Sequence, residues 1–343
     1  MSILEAAHLS KQGENVVIID DRKEIGGAWG TVKYEGLPEL EIGCHIWDVA
    51  PGVFEFLTEL LGLNLKKMAP SPKIQKGTLL FPYDWKMNLI SFKHATKSAA
   101  HIKFKSLLKD LSSPGHRISI LPSKYLYPVN GAVDMKQALS KILELNNIQI
   151  INTRLSKLDI GASVSATLAD STNITADNVV VTSLTNIDEV IFENNVQKID
   201  STLLRYIHFH LVVKDLQPTK FSYVRVMGNE LIHRISDMSL QVSETIQENE
   251  KLICIGVYEN EFDKYETGKL VDLIFEQLKE LKFVSNKAEL KSHHHNIYPA
   301  SYTDKVAIRK IESESNGKLK FLHSTNLMYG IHKELPRWKY LVD

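Results

Sequence analysis

At 343 residues, with 43% apolar and 24% charged residues, the chain is long enough for two domains or for one domain carrying an insertion. Lys plus Arg and Asp plus Glu both number 41, so no net field favours nucleic acid or an anionic membrane. Two cysteines, Cys44 and Cys254, exclude a disulfide framework and fit a reducing, cytoplasmic compartment. There is no apolar run of about 18 residues and no basic-then-apolar leader, so neither a membrane span nor a signal peptide is expected.

The elements follow in chain order. Ile3, Leu4, Ala6, Ala7 and Leu9 recur at helical spacing, and Gly13 ends that helix. Val16–Ile19 is a continuous apolar strand of the kind buried on both faces in a parallel sheet. Short strands over Thr31–Tyr34 and Glu39–Ile42 flank the turn Gly36-Leu37-Pro38. A helix over Gly52–Leu61 precedes a strand over Thr78–Phe81, and Lys86–Leu111 reads as basic and helical. A second periodic block opens with a helix over Val133–Leu143. Strands follow over Ile148–Asn152, Arg154–Asp159 and Ser163–Leu168, and Asp177–Ser183 returns as a buried parallel-type strand. Tyr206–Val213, Tyr223–Met227, Leu231–Ile235 and Leu252–Val257 are further strands, Leu270–Leu281 is a helix, and Leu319–Leu322 is a last short strand. Alternating α/β blocks around a strand-rich middle predict an α/β nucleotide-binding domain interrupted by an α+β domain.

Chemistry concentrates at the end of the first strand. Asp20 closes Val16–Ile19, and Arg22, Gly26 and Gly27 follow. A carboxylate there can accept two ribose hydroxyl hydrogen bonds, and the glycines admit close backbone approach. The alternative is a solvated turn after a buried strand. His45, in Glu41-Ile42-Gly43-Cys44-His45, is either a structural histidine or a group tuned for proton chemistry near neutral pH, and Cys44 reads as a small buried residue. His293-His294-His295 invites a metal reading, but consecutive strand residues point to opposite faces and no acid or cysteine cluster accompanies them. Tyr298, Tyr302, Tyr329 and Trp338 are either pocket-lining or packing aromatics, and Lys333–Lys339 reads as a solvated tail anchored by Trp338. There is no Gly-x-Ser-x-Gly elbow and no Walker A sequence.

Gly13 through Asp20, with Ile25-Gly26-Gly27, resembles the FAD fingerprint of the amine oxidase and protoporphyrinogen oxidase superfamily, which includes UDP-galactopyranose mutase-like proteins. Glu41–Ile46 resembles its acid-x-Gly-x-His segment. Tyr127-Pro128-Val129-Asn130-Gly131 resembles its "YP-x-GG" entry to a second nucleotide-domain block, and Ala176–Ser183 its returning strand. Together these cover about residues 2–60 and 125–185. The resemblance implies a Rossmann-like FAD/NAD(P)-binding domain over 1–50, 125–190 and 300–343, with an inserted substrate domain over 51–124 and 191–299. It implies FAD as cofactor, Asp20 on ribose, Leu155 against adenine, Arg22, Gly26 and Gly27 beside the cofactor, and His45 near the ring as the catalytic candidate. Counting back about 18 positions from Asp20 reaches Ser2, which would hold the last small position of the glycine motif.

Two departures accompany the resemblance. The glycine turn and the strand before it would lie upstream of Met1, leaving the nucleotide domain incomplete at its N-terminus. The strand Leu319–Leu322 leads into His323-Ser324-Thr325-Asn326 without the family's closing glycine–acid pair. The function implied is hydride transfer from a small-molecule substrate to flavin. The alternatives are a mutase-like sugar isomerase, with Arg205, Arg225 and Arg234 for the diphosphate, and a truncated or non-catalytic homologue. An unpaired edge on Val16–Ile19 would favour oligomers.

Overall fold

The computed structural model describes residues 2–22, 24–43, 47–48, 53–70, 72–76, 79–82, 125–182, 187–192, 195–199, 201–218, 221–242, 247, 249–303, 305–322, 337–338 and 341. Cys44, His45, Lys86–Leu111, His323–Asn326 and Tyr329 lie outside these residues. In chain order the elements begin with α1 (Ser2–Lys11), β1 (Val17–Ile19), β2 (Thr31–Val32), β3 (Leu40–Glu41), β4 (Trp47–Asp48), β5 (Leu65–Lys67), β6 (Lys73–Lys76), β7 (Leu79–Pro82) and β8 (Tyr125–Pro128). Next come α2 (Ala132–Leu145), β9 (Gln149–Ile151), β10 (Leu155–Ile160), β11 (Val164–Leu168), β12 (Asn173–Ala176), β13 (Val179–Thr182), β14 (Glu189–Phe192) and β15 (Asn195–Lys198). The remainder are β16 (Ser201–Lys214), β17 (Tyr223–Met227), β18 (Ile232–Asp237), β19 (Glu250–Val257), α3 (Thr267–Glu280), β20 (Glu289–Thr303), α4 (Lys305–Glu314) and β21 (Leu319–Leu322).

The chain divides into two compact units, each discontinuous in sequence. The first comprises Met1–Gly27, Gln137–Arg205 and Pro299–Asp343; the second comprises Ala28–Lys136 and Tyr206–Tyr298.

In the first unit, β1 pairs in parallel with β9, Val17 opposite Gln149, and β13 pairs in parallel with β21, Val179 opposite Leu319. A separate five-stranded sheet has the order β12-β11-β10-β14-β15. Its apolar face packs Leu158, Ile160, Val164 and Val190 with Ile308 and Ile311 of α4 and Phe321 of β21. Helix α1 buries Leu4, Ala6 and Ala7, and Gly13 ends it at φ +92°, a left-handed conformation suited to glycine. The sequence predicts β1 as fully buried, yet Val17 is 36% exposed and Ile18 and Ile19 are half-buried. The cause is pairing on one side only: among the described residues β9 is the sole neighbour of β1.

In the second unit a seven-stranded sheet runs β20-β16-β19-β18-β17-β6-β7. Alternation along β16 sends Ile207, Phe209, Leu211 and Val213 to the face covered by α3, whose Leu270, Val271, Ile274 and Leu278 form one stripe. The intervening Val212 packs on the opposite face with Leu40, Tyr223, Met238, Leu252 and Cys254. Both faces of the central strands are therefore buried, which is why His208 and His210, on the second face, are 4% and 0% exposed. The helix expected over Gly52–Leu61 is realised as Val53–Glu55 followed by a π-helical Phe56–Leu60.

Candidate functional site

A parallel strand pair places the residues that follow both strands at the same end of the sheet. Asp20 follows β1 and Thr153-Arg154-Leu155 follow β9, and the Asp20 N–H donates to the Ile151 carbonyl at 3.1 Å to close that end. Helix α1 precedes β1 through a short turn and returns along it, so Ser2 lies beside the same end. These residues line one cleft of about 560 Å³, within the range of small-molecule sites. Ser2, Asp20, Arg22 and Leu155, four of the six cofactor residues expected from sequence, come together there. Gly26 and Gly27 are not among its lining residues, although both hold left-handed conformations, φ +121° and +60°. A Cβ on Gly27 would approach Arg22 Nη1 to 3.4 Å. Leu155 is 8% exposed and packs in the core of the unit.

The geometry around Asp20 was only partly legible in sequence. Arg22 folds back so that its Nε and Nη2 donate to the two carboxylate oxygens at 2.8 and 2.7 Å, and its backbone N–H donates to Oδ1 at 3.0 Å. Such a fork-to-fork pair fixes the carboxylate plane and leaves oxygen lone pairs for a further donor. A carboxylate held at the carboxyl ends of parallel strands beside a helix N-terminus fits the ribose portion of a dinucleotide. Behind it, Glu5 of α1 is 2% exposed and accepts from Lys320 at 2.5 Å and Arg337 at 2.9 Å. Burial alone would raise the Glu5 pKa, but those two cations outweigh it and hold the group below its usual value.

The second unit carries a cluster that sequence reasoning missed. The Tyr127 hydroxyl donates to the buried carboxylate of Glu41, joining the two family-like segments 86 residues apart. His210 Nε2 lies 3.3 Å from the Glu41 carbonyl, and its Nδ1 lies 3.3 Å from the Tyr34 hydroxyl. A backbone carbonyl can only accept, so Nε2 carries the proton and Nδ1 accepts from Tyr34. Burial, with His294 nearby, pushes the His210 pKa down to about 4 despite the Glu41 hydrogen bond. Burial, with Cys254, pushes the Tyr34 phenol up. His294 stacks on Tyr34 with ring centres 4.5 Å apart, whereas His295 stacks on Phe209. The histidine triplet thus splits between faces, and no metal-holding cluster exists among the described residues. No helix among them is long and apolar enough to cross a membrane.

One discontinuous unit with parallel strands, a strand-end carboxylate and a five-stranded antiparallel-rich sheet, and a second unit built on a large mixed sheet, make up a fold that the chain shares with solved structures of flavin-dependent oxidases and of a UDP-galactopyranose mutase. A reduced UDP-galactopyranose mutase matches with TM-score 0.65 at 11% identity, over 93% of this chain and 85% of the other. Cyclohexylamine oxidase from Brevibacterium oxydans matches with TM-score 0.63 at 11% identity, over 99% and 96%. A putative protoporphyrinogen oxidase from Exiguobacterium sp. 255-15 matches with TM-score 0.62 at 11% identity, over 99% and 95%. No protein-family model and no curated protein matches the sequence.

Proposed function

We propose that the chain is an FAD-dependent oxidoreductase of the amine oxidase-like type, acting on a small-molecule substrate. The observation that carries this reading is the convergence of Ser2, Asp20, Arg22 and Leu155 on one cleft at the carboxyl ends of β1 and β9. Asp20 accepts the ribose hydroxyls, Arg22 holds its carboxylate in plane, the Leu155 backbone meets the adenine, and the N-terminus of α1 faces the anionic bridge. Bound flavin would supply the redox chemistry by accepting a hydride from substrate; the protein orients the partners and excludes water. The second unit, inserted in sequence, is the substrate domain in this reading. The fold shared with cyclohexylamine oxidase and the protoporphyrinogen oxidase-like structure supports it. The test is anaerobic addition of primary amines to FAD-reconstituted protein. Bleaching of the flavin band supports oxidation, and no bleaching with any of a broad amine panel counts against it.

A mutase-like isomerase is the second reading, and one feature favours it. Arg225 and Arg234 stand directly opposite each other on β17 and β18, so both side chains share a sheet face, as a diphosphate would require. Turnover of a nucleotide sugar by dithionite-reduced protein, without net electron consumption, would select this reading over the first.

A further inference from the structure

We propose that the second unit carries a phosphoryl-binding site, formed by Arg225, Arg234 and His233 above the backbone of Gly256. The site grows from a one-residue irregularity in the sheet. Ile232 pairs with Val257 and Arg234 pairs with Gly256, so β18 uses two residues where β19 uses one, and His233 is the extra residue. A bulge of this kind re-aims a side chain that regular alternation would send to the opposite face. Here His233 and Arg234 both lie over Gly256: a Cβ at that position would come within 2.5 Å of His233 Cε1 and 2.8 Å of Arg234 Cγ. Arg225 of β17 stands directly opposite Arg234 and shares its face. Val224, Val226, Ile235, Ile255 and Val257 pack in the core under α3, so alternation turns Arg225, Arg234 and Gly256 away from that core.

The donors of this cluster are open to a ligand. Arg234 Nε lies 3.3 Å from His233 Nδ1, and a guanidinium can only donate, so Nδ1 accepts and Nε2 carries the ring proton. Burial, then Arg234 and Arg225, push the His233 pKa down to about 4, so the ring is neutral near pH 7 and senses a positive field. Tyr258 packs against it with ring centres 5.1 Å apart, and His208 of β16 faces it from across Gly256. Among the described residues, neither the Nε2–H of His233 nor the exposed guanidinium of Arg225 has a hydrogen-bond or ion-pair partner. A carboxylate has two oxygens, and a single guanidinium fork occupies both. A phosphoryl group presents three, enough for two forks and an imidazole N–H together. The proposal rests on the second unit being the substrate domain and holds for either reaction: the substrate carries a phosphoryl group that these three residues anchor.

The test is made without flavin, so a failure of cofactor binding or of turnover leaves it readable. Protein labelled with nitrogen-15 is titrated near pH 7 with inorganic phosphate, phenyl phosphate or acetate, and the His233 ring and arginine side-chain signals are followed by NMR. Both phosphates should shift the His233 and Arg225 signals saturably, phenyl phosphate at least as tightly as inorganic phosphate, and acetate should bind about 10-fold or more weakly. Arg225→Gln, at an exposed position, should weaken phosphate binding about 10- to 100-fold. Gly256→Ala sets a methyl group against His233 and Arg234 and should weaken it similarly in protein that is folded by circular dichroism. Arg309→Gln, exposed in the first unit, should leave it unchanged. Unmoved His233 and Arg225 signals, full affinity in Arg225→Gln, or an equal loss in Arg309→Gln would overturn the site. Acetate binding as tightly as phosphate would overturn the phosphoryl assignment. Binding of inorganic phosphate with phenyl phosphate excluded would overturn the role in holding substrate.

Discussion

The buried His210 gives the second unit a pH dependence that can be worked out from its surroundings. The ring is fully buried between β3 and the seven-stranded sheet, with the Glu41 carbonyl, the Tyr34 hydroxyl, His294 and Cys254 around it. None of the groups bonded to it carries the negative charge that would stabilise an imidazolium. Its pKa falls from 6.5 to about 4 on folding. The unfolded chain therefore binds a proton between these values that the folded chain refuses, so stability rises with pH across this window. The contribution is complete above about pH 6.5 and lost as pH falls toward 4; at about 1.4 kcal/mol per pH unit it amounts to about 3 kcal/mol. Urea unfolding at pH 7.0, 6.0, 5.0 and 4.5, followed by near-UV circular dichroism, reads the slope. His210→Gln keeps a donor toward the Glu41 carbonyl and removes the titration, so its stability should be flatter over the same range. Parallel slopes in parent and variant would refute the reasoning, because the lost stability would then come from other groups. His233, held at about 4 by burial and by Arg234 and Arg225, adds a slope of the same sign that the variant retains.

Three other outcomes follow from the contacts. Asp20→Ala removes the carboxylate that Arg22 holds, and FAD affinity measured by flavin fluorescence should fall about 10- to 100-fold, the worth of hydrogen bonds to a charged group. Asp215→Ala strips the partner of Lys251, whose Nζ lies 3.0 Å away in a pair exposed by only 9% and 0%; a loss of about 3–5 kcal/mol in denaturant unfolding is expected. Tyr127→Phe leaves the buried Glu41 carboxylate without that hydroxyl and should cost about 1–3 kcal/mol in the same assay.

Much of the fold was legible because periodicity reports burial. Tyr223–Met227 and Leu319–Leu322 were read to the residue, since both are short apolar runs bounded by turns. Helix α3 followed from its single apolar stripe. Glu289–Thr303 went unread although it is a fifteen-residue strand. Among the described residues it lies at the edge of its sheet, beside β16, and its positions carry Lys, Ser, His and Asn rather than an apolar alternation. Asp20 and Ser2 were legible from motif spacing, but the Arg22 fork was not, since nothing in a Asp-Asp-Arg turn fixes which way the guanidinium folds. The link from Tyr127 to Glu41 and the burial of His210 depend on contacts between distant segments, which local pattern does not encode. That β13 lines the same cleft as β1 depends on strand order, which periodicity cannot report.

The central claim is that the cleft beside Asp20 holds FAD, and one measurement addresses it directly. The purified chain is incubated with excess FAD, passed through a desalting column, and its visible absorption spectrum recorded beside that of Asp20→Ala. The expected result is a flavin band that co-elutes with the parent protein at near-stoichiometric yield and is strongly reduced in the variant. A parent protein that is folded by circular dichroism yet emerges colourless, or a band retained equally by both proteins, would contradict it.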